Sequence, residues 1–239
     1  MFYWNEQSIR WYKEAAEYGC FHEQIVKVAA PYINCDCTAC DLGCGLGYLS
    51  LELAKIAKQV TAIDIDDNAL NVLRASISQN GTSNIEVMRE DVQLIPSQAI
   101  WDVVVLCSFG RLTENNNFTK YMALCKKRLI SIVGSNAKSN ISPSGLSHYE
   151  KDHVPKLISF LEKQGIPYRL IEQNLEFGQP LSTQQDAIDF ICHYTPGCTV
   201  ETAAEHAKEH LKQLGDGRYC LPNQKCYGIF IIDKQEETT

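Results

Sequence analysis

Three glycines at alternate positions, with an acid two residues ahead of the first, make the segment of this chain whose spacing points most directly to chemistry: Asp41-Leu42-Gly43-Cys44-Gly45-Leu46-Gly47. It follows an apolar run and opens a stretch with helical spacing. Glycines in such a turn let the backbone adopt left-handed conformations and let a ligand approach the main chain without a Cβ in the way. The dinucleotide fingerprint, Gly-x-Gly-x-x-Gly, is approached but not met. The third glycine comes one residue early, and Tyr48 stands where that pattern wants glycine. A carboxylate at Asp41 would sit poorly beside a pyrophosphate. It suits a ligand carrying a cationic amino group.

The elements that must hold this turn read as apolar strands alternating with helices. Residues 5–30 have helical spacing, through Trp11, Ala15 and Tyr18 and then Ile25, Val26 and Ala29, with a break at Gly19-Cys20 and an end at Pro31. Strands are expected at 37–42, 60–65, 85–89, 101–107 and 129–133, and helices at 48–57 and 68–79. Val103 to Leu106 is apolar at every position, as a strand covered on both faces requires. Residues 135–147, rich in Ser, Asn, Gly and Pro, read as a long loop. Then come a helix over 153–164, a strand over 168–175, amphipathic helices over 183–193 and 200–214, and a last strand over 226–232. This rhythm predicts an α/β fold: a doubly wound, mostly parallel seven-stranded sheet with N-terminal helices and a two-helix insertion between the last two strands. The whole of 1–239 reads as a single domain, with a helical cap (1–34), a Rossmann-like core (35–175), inserted helices (176–222) and a closing strand (223–233).

The segment from Asp41 to Gly47 resembles the Asp-x-Gly-x-Gly-x-Gly motif of the class I S-adenosylmethionine-dependent methyltransferases. The resemblance covers roughly residues 31–133. It implies that Asp41, Gly43, Cys44, Gly45 and Gly47 embrace the methionyl part of S-adenosyl-L-methionine, and that S-adenosyl-L-homocysteine is the product. A second acid, at the end of the second strand, matches Asp64 and would bind the ribose hydroxyls, since an ionised carboxylate only accepts hydrogen bonds and takes both hydroxyl protons. Ile65 would pack on the adenine face. Asp91, followed by Val92, fits the acid placed beside the adenine amino group. The run Trp101 to Cys107 is similar to the family's fourth strand, whose end faces the sulfonium. The N-terminal segment carries an aromatic cluster, Phe2-Tyr3-Trp4 with Trp11 and Tyr12. It either folds over the cofactor, as N-terminal helices often do in this family, with Tyr12 at the cofactor, or packs as a hydrophobic anchor on the sheet. The anchor role suits Trp11 more than Tyr12. Three acids in register with the glycine turn are much more specific than the turn alone.

The methyl acceptor is not fixed by any motif. Transfer from a sulfonium needs positioning and exclusion of water, and a base only where the acceptor must lose a proton. Catalytic residues therefore stay open, with Arg111, His148, Tyr149 and His153 as candidates: Arg111 to hold a carboxylate and the histidines because they titrate near neutrality. The Asn/Asp-Pro-Pro-Tyr/Phe motif of methyltransferases acting on planar nitrogens is replaced by Cys107-Ser108-Phe109-Gly110-Arg111, and the Pro-Cys pair that attacks cytosine is missing. A small-molecule acceptor is the expected substrate. The alternatives are a protein or RNA acceptor, or a non-catalytic regulator that binds S-adenosylmethionine.

A net charge of −7 argues against DNA as a partner, because phosphate binding needs clustered cations. Lys126-Lys127-Arg128, the one basic run, reads as a solvated loop before a strand. No stretch approaches the roughly 20 apolar residues that span a bilayer, and residues 1–10 lack the apolar core of a signal peptide, so a cytoplasmic location and no membrane partner are expected. In that compartment the 11 cysteines should be mostly thiols. Cys35, Cys37, Cys40 and Cys44 mimic a metal-ligand spacing, but alternation along a strand sends them to opposite faces. His206 and His210 share a helix face with no third ligand in view, and read as solvated. No metal is expected, and a homodimer is neither required nor excluded.

Overall fold

Val103, Val104, Val105 and Leu106 are buried on both faces of one strand, and the rest of the architecture is arranged about it. The computed structural model describes residues 4–135, 141–143 and 152–235. In chain order the elements are α1 (Glu6–Gly19), α2 (Phe21–Ala29), β1 (Thr38–Leu42), α3 (Tyr48–Leu53), β2 (Gln59–Asp64), α4 (Asp67–Asn80), β3 (Ile85–Arg89), β4 (Trp101–Cys107), α5 (Asn117–Leu124), β5 (Cys125–Gly134), α6 (Val154–Lys163), β6 (Arg169–Glu176), β7 (Gln179–Leu181), α7 (Gln184–Tyr194), α8 (Val200–His210), β8 (Lys212–Gln213), β9 (Tyr219–Leu221) and β10 (Gln224–Asp233).

Seven strands form one sheet in the order β3-β2-β1-β4-β5-β10-β6. The first five are parallel, and β10 runs antiparallel to both β5 and β6. The strand order reverses between β1 and β4, from outward on the β2 side to outward on the β5 side, so a crevice opens at the carboxyl ends of these parallel strands, where open α/β sheets bind their ligands. Alternation separates two cores. Ala39, Val103, Val105, Ile130 and Ile229 face α2 and α3, whereas Cys40, Val104, Leu106, Leu129 and Phe230 face α5 and α6. Each fully buried Val, Leu or Ile contributes roughly 1.5–3 kcal/mol, which is what fixes the register. Cys37 lies in the first core and Cys40 in the second.

A third apolar cluster joins Trp11 of α1 to Leu181, Phe190, Ile191, Ala203, Ala207 and Leu221. Here α7 and α8 pack on a small antiparallel sheet, β7-β9-β8, inserted between β6 and β10. The spacing of apolar residues revealed the two helices but not these short strands, which carry two or three residues each. Because Lys212–Gln213 pairs with β9, α8 stops at His210 and not at the expected residue 214. Two further expectations are corrected. Lys126, Lys127 and Arg128 are not a loop: they lie within β5, where Lys127 pairs with Asp102 and Arg128 with Asp233. His206 is buried, not solvated, and its ring stacks on His210.

Local chemistry sets the helix ends that matter for the site. Asn5 caps α1 through a reciprocal box with Ser8, and Cys20, in the left-handed region at φ 49°, turns the chain from α1 into α2. Asp66 caps α4 by accepting from the amides of Asn68 and Ala69, a cap of the kind that contributes about 1 kcal/mol.

Candidate active site

The glycine turn leaves the end of β1 with all three glycines in the left-handed region: φ is 75° at Gly43, 53° at Gly45 and 78° at Gly47. The amides of Gly43 and Cys44 donate to the carbonyl of Ile63 at 2.8 and 2.9 Å. The Gly45 amide donates to Asp64 Oδ2 at 2.8 Å, and the Asp66 amide to Asp64 Oδ1 at 3.0 Å. The turn is therefore anchored to the end of β2 through one carboxylate. There is no room for side chains. A Cβ on Gly43 would lie 2.3 Å from the Phe109 ring, one on Gly45 3.2 Å from Trp4, and one on Gly47 2.3 Å from Leu73.

Asp41 is buried at the end of β1 and accepts from Ser50 Oγ of α3 at 2.6 Å. Burial, reinforced by the nearby charge of Asp64, pushes its carboxyl up to about 7 despite the Ser50 bond. Cys44 is pushed far above the usual thiol range, again by burial first and then by Asp41 and Asp64. It is a neutral thiol. At the end of β2, Ile65 stands 40% exposed beside Asp64, an apolar side chain in contact with solvent next to a hydrogen-bonding carboxylate. Asp91 follows β3 and accepts from the Gln93 amide at 2.8 Å, while Val92 is buried behind it.

Aromatic residues close two sides of the turn. The Trp4 amide donates to Asp66 Oδ2 at 3.0 Å and its carbonyl accepts from Asn68, which sets its ring on Gly45. Tyr12 of α1 meets Trp4 edge-on, at 5.2 Å between centroids, and contacts the rings of His22, Tyr48 and Phe177. Its hydroxyl lies 3.0 Å from His22 Nε2. Desolvation raises the Tyr12 hydroxyl well above its ordinary value, with Cys107 and Asp41 adding to the effect, so Tyr12 is a hydrogen-bond donor at neutral pH. His22 is held neutral, with a pKa of about 3, by burial. Sequence reasoning missed His22 because nothing in its spacing on α2 separates it from an ordinary core position. Phe109, 37% exposed, covers Gly43.

The loop after β4 is strained. Ser108, Arg111, Asn115 and Asn116 all have positive φ without being glycine, a clustering typical of functional loops. It borders a cavity of about 480 Å³ walled by Phe109, Arg111, Asn115, Asn117, Val133 and Asp152. Arg111 reaches this cavity, but its guanidinium is paired with Glu114 at 3.1 Å. Asp152 accepts from the amide and hydroxyl of Thr113, tying the loop to the start of α6. His153 caps α6, its Nδ1 accepting from the Lys156 amide at 3.3 Å. Phe2, Tyr3, His148 and Tyr149 lie outside the described residues. Cys107, at the end of β4, is partly buried beside Tyr12.

A parallel sheet that reverses between β1 and β4, a glycine-rich turn after β1 and acids at the next two strand ends define a class I S-adenosylmethionine-dependent methyltransferase domain. Residues 39–129, under half of the chain, match the family described as methyltransferase domain. Among curated proteins, a ribosomal protein L11 methyltransferase of Acetivibrio thermocellus is 37% identical over 59 residues, 24% of this chain and 19% of that protein's length. The chain thus matches under a fifth of that relative. A probable cobalt-precorrin-6B C(15)-methyltransferase (decarboxylating) of Methanocaldococcus jannaschii is 26% identical over 146 residues, 58% of this chain and 75% of the relative. The fold is shared with a crystal structure of a putative methyltransferase from Bacillus halodurans, at a TM-score of 0.60 with 16% identity, covering 91% of this chain and all of the other. Among the described residues, no helix is long and apolar enough to cross a membrane.

Proposed function

We propose that this chain transfers the methyl group of S-adenosylmethionine to a small-molecule acceptor bound in the cavity beyond β4 and β5. The observation that carries this reading is adjacency. Phe109 touches both the glycine turn and the cavity, so a ligand on the turn and one in the cavity meet at a single ring.

The residues present fit the cofactor. A buried carboxylate at Asp41, with a pKa near neutrality, needs a cationic partner to ionise fully, and the amino group of the methionyl part is one. Asp64 has spent one acceptor site on each oxygen, which leaves capacity for two ribose hydroxyls. Ile65 offers an apolar face for adenine, and Asp91 an acceptor for its amino group. When bound, S-adenosylmethionine supplies an activated methyl group for in-line displacement, so the chain's own task is to orient and to exclude water. Trp4, Tyr12 and Phe109 do the second. The polar cavity wall, from Asn115, Asn117 and the Arg111–Glu114 pair, orients the acceptor.

A second reading, methylation of a protein, draws on the relative named for ribosomal protein L11. The test is calorimetric titration with S-adenosylmethionine and with NADH, followed by incubation of the protein and cell extract with methyl-labelled S-adenosylmethionine. Micromolar binding of S-adenosylmethionine alone, with label in the low-mass fraction, is the expected result. Label in protein would favour the second reading. Binding without any labelled product would favour a regulator, and binding of NADH alone would overturn the cofactor assignment.

A further inference from the structure

The turn between α7 and α8 places two thiols on one carbonyl. Cys192, in the last turn of α7, directs its sulfur to the Thr199 carbonyl at 3.9 Å, and Cys198, just ahead of α8, directs its own to the same oxygen at 3.5 Å. Burial, and then the neighbouring Cys192 thiol, lift Cys198 above its ordinary value. Neither sulfur is sealed in the core, since both residues are partly exposed. This differs from Cys37, Cys40, Cys125 and Cys220, which are buried. The pair lies apart from the glycine turn and is independent of the function proposed above.

We propose that Cys192 and Cys198 form a reversible dithiol–disulfide site, closed by hydrogen peroxide. The thiolate of one cysteine attacks the peroxide, forming an S–O bond as the O–O bond breaks and water leaves. The second thiolate then attacks that sulfur, an S–S bond forms, the S–O bond breaks and a second water leaves. Two electrons pass from the two thiols to one peroxide. The segment closed by this bond carries His193 and Tyr194, whose rings pack on Trp11 of α1 at 5.4 and 6.0 Å. The disulfide would therefore staple the platform on which α1 rests.

Sequence makes the test clean. Cleavage after Arg169 and Lys208 releases one peptide that contains Cys192 and Cys198 and no other cysteine. The full chain is treated with a slight excess of hydrogen peroxide, its remaining thiols are alkylated, and the digest is read by mass without reduction. The expected result is that this peptide loses two hydrogens and escapes alkylation, and that dithiothreitol reverses the change. The serine variant that keeps the attacking cysteine should lose its remaining thiol at the parent rate but stop at a sulfenic acid that dimedone traps, with no intramolecular disulfide. The other variant, of Cys192→Ser and Cys198→Ser, keeps only the resolving cysteine and should lose its thiol about tenfold more slowly, because the attacking partner is gone. The proposal is overturned if the peptide stays doubly alkylated while other cysteines oxidise. It is also overturned if both Cys192→Ser and Cys198→Ser lose their remaining thiol as fast as the parent chain, or if the parent peptide accumulates a dimedone-trapped sulfenic acid and no disulfide.

Discussion

Asp64 accepts the amide of Gly45 at 2.8 Å, so the acid at the end of β2 builds the glycine turn after β1 as well as facing the crevice. Its other oxygen holds the Asp66 amide, and Asp66 in turn holds Trp4 and caps α4. A single carboxylate thereby links the turn, the next helix and the N-terminal aromatic wall.

Asp64→Ala should therefore do two things. It removes the acceptor for the ribose hydroxyls, a loss of about 100-fold or more in affinity for S-adenosylmethionine, at roughly 1.5–3 kcal/mol for each charge-assisted bond. It also frees the Gly45 amide, so the turn should exchange its amide hydrogens faster even without ligand. Calorimetry reads the first effect and hydrogen exchange the second. Near-parental affinity in the variant would remove Asp64 from the ribose role.

The Asp41 carboxyl, raised to about 7, predicts pH dependence in two measurements. Its folded pKa exceeds the unfolded value, so its contribution to stability is complete below about pH 4 and is lost as pH rises through 7. Asp41→Asn should then melt higher than the parent chain at about pH 8 in the absence of ligand and lose this advantage near pH 4. Pairing with a cationic amino group requires the ionised form, so affinity for S-adenosylmethionine should rise by up to about tenfold between pH 6 and 8. A flat affinity profile across that range would separate Asp41 from the amino group.

His22 has the opposite sign. Its folded pKa, about 3, lies below the unfolded value, so its contribution is complete above about pH 6.5 and is lost as pH falls toward 3. Its Nδ1 is buried without a hydrogen-bond partner among the described residues, which leaves nothing to stabilise the charged ring. His22→Phe keeps an aromatic ring among Phe21, Tyr48 and Phe177 while removing the titration. The melting temperature of the variant should fall less steeply than that of the parent between about pH 6.5 and 4, where one such group gives a slope of up to ~1.4 kcal/mol per pH unit. Equal slopes in the two proteins would mean that His22 is solvated in solution.

Much of this molecule is legible in one dimension because the relevant physics is local. The bounds of β3 and β4 coincide with their apolar runs, and the glycines of the turn stand where left-handed backbone and close contacts leave no space for a Cβ. Alternation along β1 already separates Cys37 from Cys40, as the two cores do. Only tertiary structure decided the rest. The bonds of Asp64 to Gly45, of Trp4 to Asp66 and of Tyr12 to His22 join segments far apart in the chain or on different helices, and no spacing rule encodes them. The same holds for Arg111, read in the sequence as a candidate to hold a substrate carboxylate and paired in space with Glu114, and for His153, whose Nδ1 accepts the Lys156 amide at the start of α6. The strands β7, β8 and β9 are too short to show a period, and they exist because each completes another's hydrogen bonds under α7 and α8. Periodicity reports which face of an element is apolar. Which partner covers that face, and which polar groups are left to meet a ligand, is settled by packing.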